Sequence, residues 1–217
     1  MSFTYLQEKD ATANVLGNTD GGTPDTLRDN AINDVRQNEI ANAYPFTWSE
    51  ATTTVTTVLG VADLPANYNI NHSAKDIRFL TGVRGGDYIY SEVPKENYNN
   101  YGSGDFVYFI DWNSSTSRWR LNAPDNRALR VIYYAVPALL TLDADIDYIP
   151  DKDCIAFLAA ARFYLASDGD ETNRDRFTLA GQKRLNQMIA NDKKSRPLRA
   201  TRSTAYRANM GWNSNGY

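Results

Sequence analysis

The chain has 217 residues, of which 42% are apolar and 23% charged, so it can bury a core and is not wholesale disordered. The net charge is −3, but all of the excess acid lies before Lys193, where 17 basic residues oppose 26 acidic ones. One cysteine excludes an internal disulfide. With no basic and apolar leader and no apolar run of about 20 residues, we expect a soluble, non-exported chain without membrane contact.

The N-terminal region predicts an arm followed by one helix. Residues 1–22 are polar and end in a Gly-Gly pair, which indicates an irregular or flexible N-terminal arm. Thr23 is then a candidate N-cap with proline in the first turn. An apolar stripe at helical spacing follows it, and Pro45 ends the helix near Ala43 because the residue before proline is extended.

The middle of the chain predicts about six strands over residues 48–137. β-branched and aromatic runs bounded by turn residues mark them. The runs cover residues 52–58, 76–80, 87–90, 106–110, 118–121 and 129–135. The fourth and fifth runs indicate a hairpin across a Ser/Thr-rich turn. This number of strands is enough for a small antiparallel sheet or partial barrel.

Helices return after residue 148. The first runs from Pro150 through residues 154–166 and is apolar on nearly every side, which predicts a buried central helix. The second starts near Glu171 and has one charged face. The short connection predicts an antiparallel helix hairpin. Gly181, inside the second helix, is explained either by close approach of another helix or by chance.

The sequence offers no recognisable catalytic site. Its one histidine, His72, has neither a histidine partner nor a nearby cysteine, so we interpret it as a surface loop residue. One histidine and one cysteine, Cys154, do not supply a usual zinc site. The glycine-rich run 82–86 leads into no helix and is interpreted as a turn rather than a phosphate loop. We therefore predict no catalytic residue, no metal and no cofactor.

Five aspartates lie within eleven residues, at positions 143, 145, 147, 151 and 153. Alternating aspartates can present oxygen ligands to Ca²⁺. However, Tyr148 and Cys154 stand where a calcium loop needs glycine and glutamate. The favoured interpretation is a polar connection whose later acids stabilise the positive end of the next helix.

The basic C-terminal segment allows three interpretations: an arm that orders on a partner, a solvated disordered end, or a nucleic-acid contact. Basic residues alternate with apolar and aromatic ones, as at interface hot spots, which favours the arm. The candidate binding residues are Arg196, Leu198, Arg199, Arg202, Tyr206, Arg207 and Trp212.

Several segments in a fixed order resemble the head-to-tail adaptor, or connector, proteins of tailed bacteriophages. They are the early helix leading to Ala43–Trp48, the strand before Asp63–Tyr68, residues 129–135, the Leu- and Asp-containing link 139–145, Tyr148–Pro150, and the two helices from Cys154 to Asn191. The resemblance covers residues 24–192. It leaves the first 22 residues and the basic tail outside.

The resemblance implies a structural virion protein with no catalytic motif. It implies a homo-oligomeric ring, commonly of twelve copies, that docks beneath the portal and extends the DNA channel without sequence-specific DNA binding. The partners would be the portal protein and a tail or stopper protein, at the head-tail interface of the virion and in the host cytoplasm during assembly. The basic segment would meet acidic portal surface.

We therefore predict an α+β fold: an antiparallel helical core, made of one N-terminal helix and a C-terminal helix hairpin, with an inserted antiparallel β-sheet or partial barrel and an extended C-terminal arm. The predicted boundaries are 1–22 for the N-terminal arm, 23–47 and 148–193 for the core, 48–137 for the insertion, 138–147 for a linker and 194–217 for the C-terminal arm. The alternatives are a tail-completion or stopper subunit that does not bind the portal, a carbohydrate-active enzyme with paired carboxylates, and a nucleic-acid binder.

Overall fold

The computed structural model describes residues 2–17, 25–79, 88–102, 104–166 and 171–196. These residues form five α-helices: α1 (Tyr5–Val15), α2 (Asp25–Asp34), α3 (Ala41–Ala43), α4 (Lys152–Ala166) and α5 (Glu171–Ser195). Ten strands accompany them: β1 (Phe3–Thr4), β2 (Glu50–Thr56), β3 (Val61–Asp63), β4 (Asp76–Phe79), β5 (Tyr88–Ile89), β6 (Ser91–Glu92), β7 (Val107–Asn113), β8 (Arg118–Asn122), β9 (Ala128–Tyr134) and β10 (Ile146–Asp147). The mixed α and β class is thus confirmed.

Helix α1 corrects the prediction that the first 22 residues are irregular. Thr4 and Gln7 form a capping box: the Gln7 amide N–H donates to Thr4 Oγ1 at 3.4 Å, and the Thr4 N–H donates to Gln7 Oε1 at 3.0 Å. This pair satisfies two of the free N–H groups at the helix start. Tyr5, Glu8 and Thr12 lie one turn apart and are buried. The N-terminal segment is therefore packed into the helical half of the protein, which we define as α1 to α5.

The helix predicted from residue 23 to Ala43 is observed from Asp25, and it changes geometry on the way. Helix α2 continues through a π-helical stretch, Val35–Ile40, into α3. Tyr44 is extended before Pro45, which ends the helix for the predicted reason. Ile32, Val35 and Ile40 are fully buried in the core of the helical half.

Helices α4 and α5 pack along each other in opposite directions. At the start of α4, Asp151 pairs with Arg184 of α5. At the end of α4, Tyr164 stacks on Phe177, which is earlier in α5 than Arg184. Cys154, Leu158 and Ala159 of α4 are buried, as the apolar sequence predicted. A Cβ atom on Gly181 would lie 2.5 Å from Leu158 Cδ2, so close helix approach, rather than chance, explains that glycine.

The strands form two four-stranded sheets, with orders β2-β9-β4-β5 and β3-β8-β7-β6. The predicted hairpin is observed as β7 and β8, with Trp112 opposite Trp119. All pairs in these sheets are antiparallel except β6 with β7, which corrects the purely antiparallel prediction. The long connection from Glu92 to Val107 makes that parallel pairing possible, because parallel strands need a crossover. These two sheets form the β half of the protein. Its core contains four buried aliphatic residues, Leu64, Leu121, Leu129 and Val131.

Two sets of contacts connect distant parts of the chain. Strand β1 pairs antiparallel with β10, which holds the N-terminal segment against the link before α4. At the other junction, the carbonyl of Ala41 accepts a hydrogen bond from Asn69 Nδ2 at 3.0 Å and lies 2.8 Å from His72 Nε2. These side chains satisfy a carbonyl at the end of α3 that has no helical partner.

Candidate functional site

The root of the basic C-terminal segment is fixed to the helical half. Arg196, the only predicted binding residue within the described part of the chain, donates from Nε to Asp192 Oδ2 at 3.0 Å. Its guanidinium also donates to the Pro45 carbonyl and lies 4.9 Å from the ring centroid of Tyr44. Asp192 is buried and also accepts from the Thr47 N–H at 3.0 Å. Arg196 therefore clamps the end of α5, and the other six candidates lie outside the described residues.

Three aromatic residues form a ladder beside this clamp. Tyr44 meets Phe46 edge to face and Phe46 stacks on Trp48, each pair with ring centroids 5.1 Å apart. Lys193 Nζ also lies 5.5 Å from the ring centroid of Tyr44. A cleft of about 380 Å³ opens next to the ladder and is bordered by Met188 and by the last turn of α5. Two cations over Tyr44, with buried Phe46 packed against that ring, mark the place where the basic segment starts.

The largest buried charge cluster lies in the helical half. Arg36 and Asp147 form a bidentate pair, with Nε–Oδ2 at 2.7 Å and NH2–Oδ1 at 3.1 Å, and their side chains are 2% and 3% exposed. Arg36 also donates to the Ala138 carbonyl at 3.0 Å, so the π-helical stretch is bound to the start of the linker 138–147. Asp147 Oδ1 accepts the Ile149 N–H at 3.2 Å as well. The guanidinium thus has the carboxylate that its burial requires.

Glu8 completes this cluster from α1. Its side chain is fully buried, and neither carboxyl oxygen meets a donor among the described residues. Burial, and next the charge of Asp147, raise the pKa of Glu8 to about 9, although Arg36 acts in the opposite direction. The neutral, protonated form of Glu8 is therefore favoured, because it avoids the penalty of a second buried negative charge beside Asp147. The arrangement stabilises the fold, and Arg36 and Asp147 also border a cleft of about 310 Å³.

The five clustered aspartates have separate roles, and the calcium interpretation has no structural support in them. Asp143 pairs with Lys9 at 3.0 Å, and Asp147 belongs to the buried cluster. Asp145 accepts the backbone N–H groups of Leu142 and Thr141, which lower the pKa of its carboxyl.

The last two aspartates belong to the start of α4. Asp151 Oδ1 accepts the N–H groups of Asp153 and Cys154, both at 3.1 Å, so it caps that helix. Asp153 reaches Arg184 at 3.0 Å. This supports the predicted role of the later acids at the helix end.

His72 and Cys154 serve packing in the described structure. His72 is partly buried, bonds Ala41 as given above and meets Tyr134 edge-on, with ring centroids 5.8 Å apart. It is therefore a junction residue rather than a free loop residue. Cys154 is buried, and burial raises the pKa of its thiol to about 12, so the thiol stays protonated.

The described residues contain no group of three or more His, Cys, Asp or Glu side chains arranged to hold a metal ion. None of the helices in the described ranges combines the length and apolar character needed to cross a bilayer. The candidate site is the anchored start of the C-terminal segment, where Arg196 meets Asp192 and Tyr44.

Sequence reasoning missed the residues that hold the N-terminal segment. The Thr4-Tyr-Leu-Gln7 sequence is a capping-box pattern and would have located α1. The contact between Glu8 and Asp147 could not be predicted from the sequence, because two residues so far apart in the chain follow no periodic pattern that would pair them.

Comparison with protein families shows that the model for "SU10 adaptor protein" matches residues 3–206. It extends beyond the resemblance over 24–192 at both ends, and it includes α1 and the first part of the basic segment. No curated protein matches significantly.

Proposed function

This chain belongs to the SU10 adaptor protein family, a family of bacteriophage adaptor proteins, and we propose that it is the subunit of a ring that joins the portal of the capsid to the tail. The match over residues 3–206 is the observation that carries this proposal, because it spans every described element. The ring has about twelve copies by the family resemblance. Its partners are the portal protein on one side and a tail or stopper protein on the other.

The two halves of the fold support a ring. A head-to-tail contact repeated around a closed ring needs two different surfaces on each subunit. The helical core, centred on Ile155 and Leu158, and the β core, centred on Leu121 and Val131, are separate hydrophobic clusters. Each half therefore has its own outer surface, and the junction at Ala41 keeps the two in a fixed relation.

The basic C-terminal segment is the proposed portal-binding arm. Clamping of Arg196 by Asp192, Pro45 and Tyr44 fixes where the arm leaves the body. The basic residues beyond it, Arg199, Arg202 and Arg207, pair with acidic portal surface, while Leu198, Tyr206 and Trp212 fill apolar pockets. A tethered arm of this kind gains affinity through the high local concentration that its root provides.

The charge distribution suits passage of DNA. Acidic residues outnumber basic ones before Lys193, whereas every charged side chain in the arm is basic. If acids line the channel, they repel DNA phosphates and keep the duplex from adhering to the wall. Under this proposal the arm faces the portal and not the lumen.

Native mass spectrometry of the purified chain, alone and mixed with the portal of the same virus, tests the proposal. We expect a complex with about one copy of the chain per portal subunit. A variant truncated after Arg196 keeps the clamp and removes the arm, and we expect it to lose portal binding while its fold is retained. An Arg199→Lys/Arg202→Lys/Arg207→Lys variant, which preserves the charge, is the matched control and should still bind.

Two outcomes would contradict the proposal in different ways. Portal binding by the truncated variant at full strength would remove the arm from the mechanism. Absence of any complex with the full chain, when both proteins are folded, would instead favour a tail-completion or stopper subunit. That subunit would bind tail components without the portal.

A further inference from the structure

Two adjoining clefts begin at the root of the C-terminal segment. The near cleft, of about 380 Å³, is bordered by Trp48 and by Ser195, the last residue of α5. The far cleft, of about 310 Å³, is bordered by Trp48 as well. Tyr148 borders the far cleft and Pro150 the near one, so the two clefts are neighbours along one short stretch of chain. Together they form the Trp48 groove, and both volumes are in the range of clefts that bind a ligand.

The far cleft is largely apolar and open to solvent. Ala51, Ala135 and Pro137 contribute to its wall. Ile146 and Tyr148 also border it, and they are 53% and 68% exposed. Large apolar side chains gathered at a cleft are typical of a surface that binds a partner.

The charged side chains of the Trp48 groove already have partners. Each carboxylate that borders it is paired with a cation. The pairs are Asp147 with Arg36, Asp151 with Arg184, Asp192 with Arg196, and Glu50 with Lys75. Within the described chain, the groove therefore offers an occupant no uncompensated charge. The surface that it has left to bury is apolar, so it fits apolar side chains rather than arginines.

The C-terminal segment starts within reach of both clefts. The Arg196 guanidinium lies 4.9 Å from the ring centroid of Tyr44. From Tyr44 to Phe46, and from Phe46 to Trp48, the ring centroids are 5.1 Å apart. Trp48 is therefore at most about 15 Å from that guanidinium, a distance that about five extended residues span. The segment that follows Arg196 is long enough to reach both clefts.

We propose that the Trp48 groove holds the arm of the same chain, residues 197–217, until the portal takes it up. Its two anchors are Leu198, which follows the clamp closely and fills the near cleft, and Tyr206, which fills the far cleft. The family match ends at residue 206, so Tyr206 is the last arm residue within it. An arm tethered beside its groove has an effective concentration of about 1 mM, so it outcompetes the arm of another copy.

This placement leaves the arginines of the arm in solvent. Arg199, Arg202 and Arg207 find no free carboxylate in the groove, so they remain outside it and are available to acidic portal surface. The arm is thus stored through its apolar residues and recruited through its basic ones. The inference deepens the proposed function and rests on it only in naming the portal as the competing partner.

A disulfide test in the full chain locates the arm. In an Ala138→Cys/Ala205→Cys variant, one new thiol borders the far cleft and the other precedes Tyr206. Mild oxidation joins them with transfer of two electrons to the added oxidant and release of two protons, and the native cysteine is buried and does not compete. We expect an intrachain disulfide, formed about fivefold more slowly when Tyr148→Ala is added. Leu142→Ala is the matched control: Leu142 is 67% exposed but borders neither cleft, so the rate should not change.

Trypsin cleavage of the full chain measures how firmly the arm is held. Arg199 and Arg202 lie between the two anchors, and cleavage there follows the fraction of arms that have left the groove. We expect Tyr206→Ala to be cleaved about fivefold faster than the native chain. Tyr206→Phe, which keeps the ring, should be cleaved at the native rate. Salt does not screen an apolar contact, so the ratio should hold between about 0.05 and 0.5 M salt.

Three outcomes would overturn the inference. If Tyr148→Ala leaves the rate of disulfide formation unchanged, the groove is not where the arm lies. If the disulfide joins two chains instead of closing within one, the occupant is the arm of a second copy. If trypsin cleaves the arm equally fast in the native chain and in Tyr206→Ala, the arm is not held. These measurements use no portal, so their failure and the failure of portal binding are separate results.

Discussion

The two halves of this protein achieve cohesion by different means. Among the described residues, the helical half buries four acidic or basic side chains, Glu8, Arg36, Asp147 and Asp192, and fits a glycine of α5 against α4. The β half buries aliphatic and aromatic residues, and its main carboxylate, Asp111, remains partly exposed beside Arg120. Substitutions in the helical half should therefore have large, pH-dependent effects on stability, while equivalent changes in the β half should have small ones.

Loss of Asp147 is the largest expected effect. Asp147→Ala leaves the buried Arg36 guanidinium without its carboxylate, which costs about 3–5 kcal/mol of unfolding free energy. Urea unfolding followed by tryptophan fluorescence measures it. An Arg36→Met/Asp147→Leu variant removes both charges and should recover most of the loss. If Asp147→Ala costs less than about 1 kcal/mol, the pair is not a main support of the helical half.

Gly181→Ala comes next. Alanine favours a helix, but its Cβ would lie 2.5 Å from Leu158 Cδ2, so we expect a net loss of about 1–3 kcal/mol from overpacking. Gly102→Ala in the β half is the control, because nothing lies within 4 Å of the position a Cβ would take there. Thermal or urea unfolding of both variants decides it. Equal stability of the two variants would show that the α4–α5 contact relaxes without cost.

Glu8→Gln should change how stability depends on pH. The pKa of Glu8 is raised from 4.5 to about 9, so the folded chain binds a proton that the unfolded chain releases. Its contribution is full below pH 4.5 and is lost as pH rises towards 9. Between pH 6 and 8 we expect the native chain to lose about 2–3 kcal/mol, and Glu8→Gln to lose markedly less. Parallel pH profiles for the two proteins would contradict a buried, protonated Glu8.

Asp111→Ala in the β half is the smallest expected effect. Hydrogen bonds from Arg120 lower the pKa of Asp111 to about 2, so its contribution is present above pH 4 and lost as pH falls through 2. The pair is partly exposed, and we expect a cost of about 1 kcal/mol or less at neutral pH, reduced further by salt. Urea unfolding at low and high salt measures it. A cost as large as that of Asp147→Ala would remove the distinction between the halves.

Much of the fold was predictable because, in several elements, the pattern of apolar residues and the turn or helix-ending residues indicate the same structure. The hairpin of β7 and β8, the end of the helix before Pro45 and the buried α4 all follow from patterns within a few residues. Strand β3 has three residues and β6 has two, so neither has enough alternation to be recognised. The parallel pairing of β6 depends on the crossover and not on its own sequence.

The site was less predictable for a physical reason. Arg196 carries the same charge as the other basic residues of the arm, yet only the placement of Asp192 and Tyr44 makes it a clamp. Likewise, the spacing of the five aspartates within residues 143–153 does not show their partners: Asp143 pairs with Lys9, whereas Asp151 and Asp153 share Arg184. The sequence shows which side chains are charged, but only the fold determines which residues they pair with.

The pairing of β1 with β10 also sets an order of events during synthesis. Phe3 cannot meet Asp147 until the ribosome has released nearly 150 residues, and the end of α3 at Ala41 waits for Asn69 and His72. The first strand is among the earliest parts made and among the last to find its place. The β half can therefore close while the helical half is still open, and nascent chains stopped before residue 147 should remain substrates for chaperones.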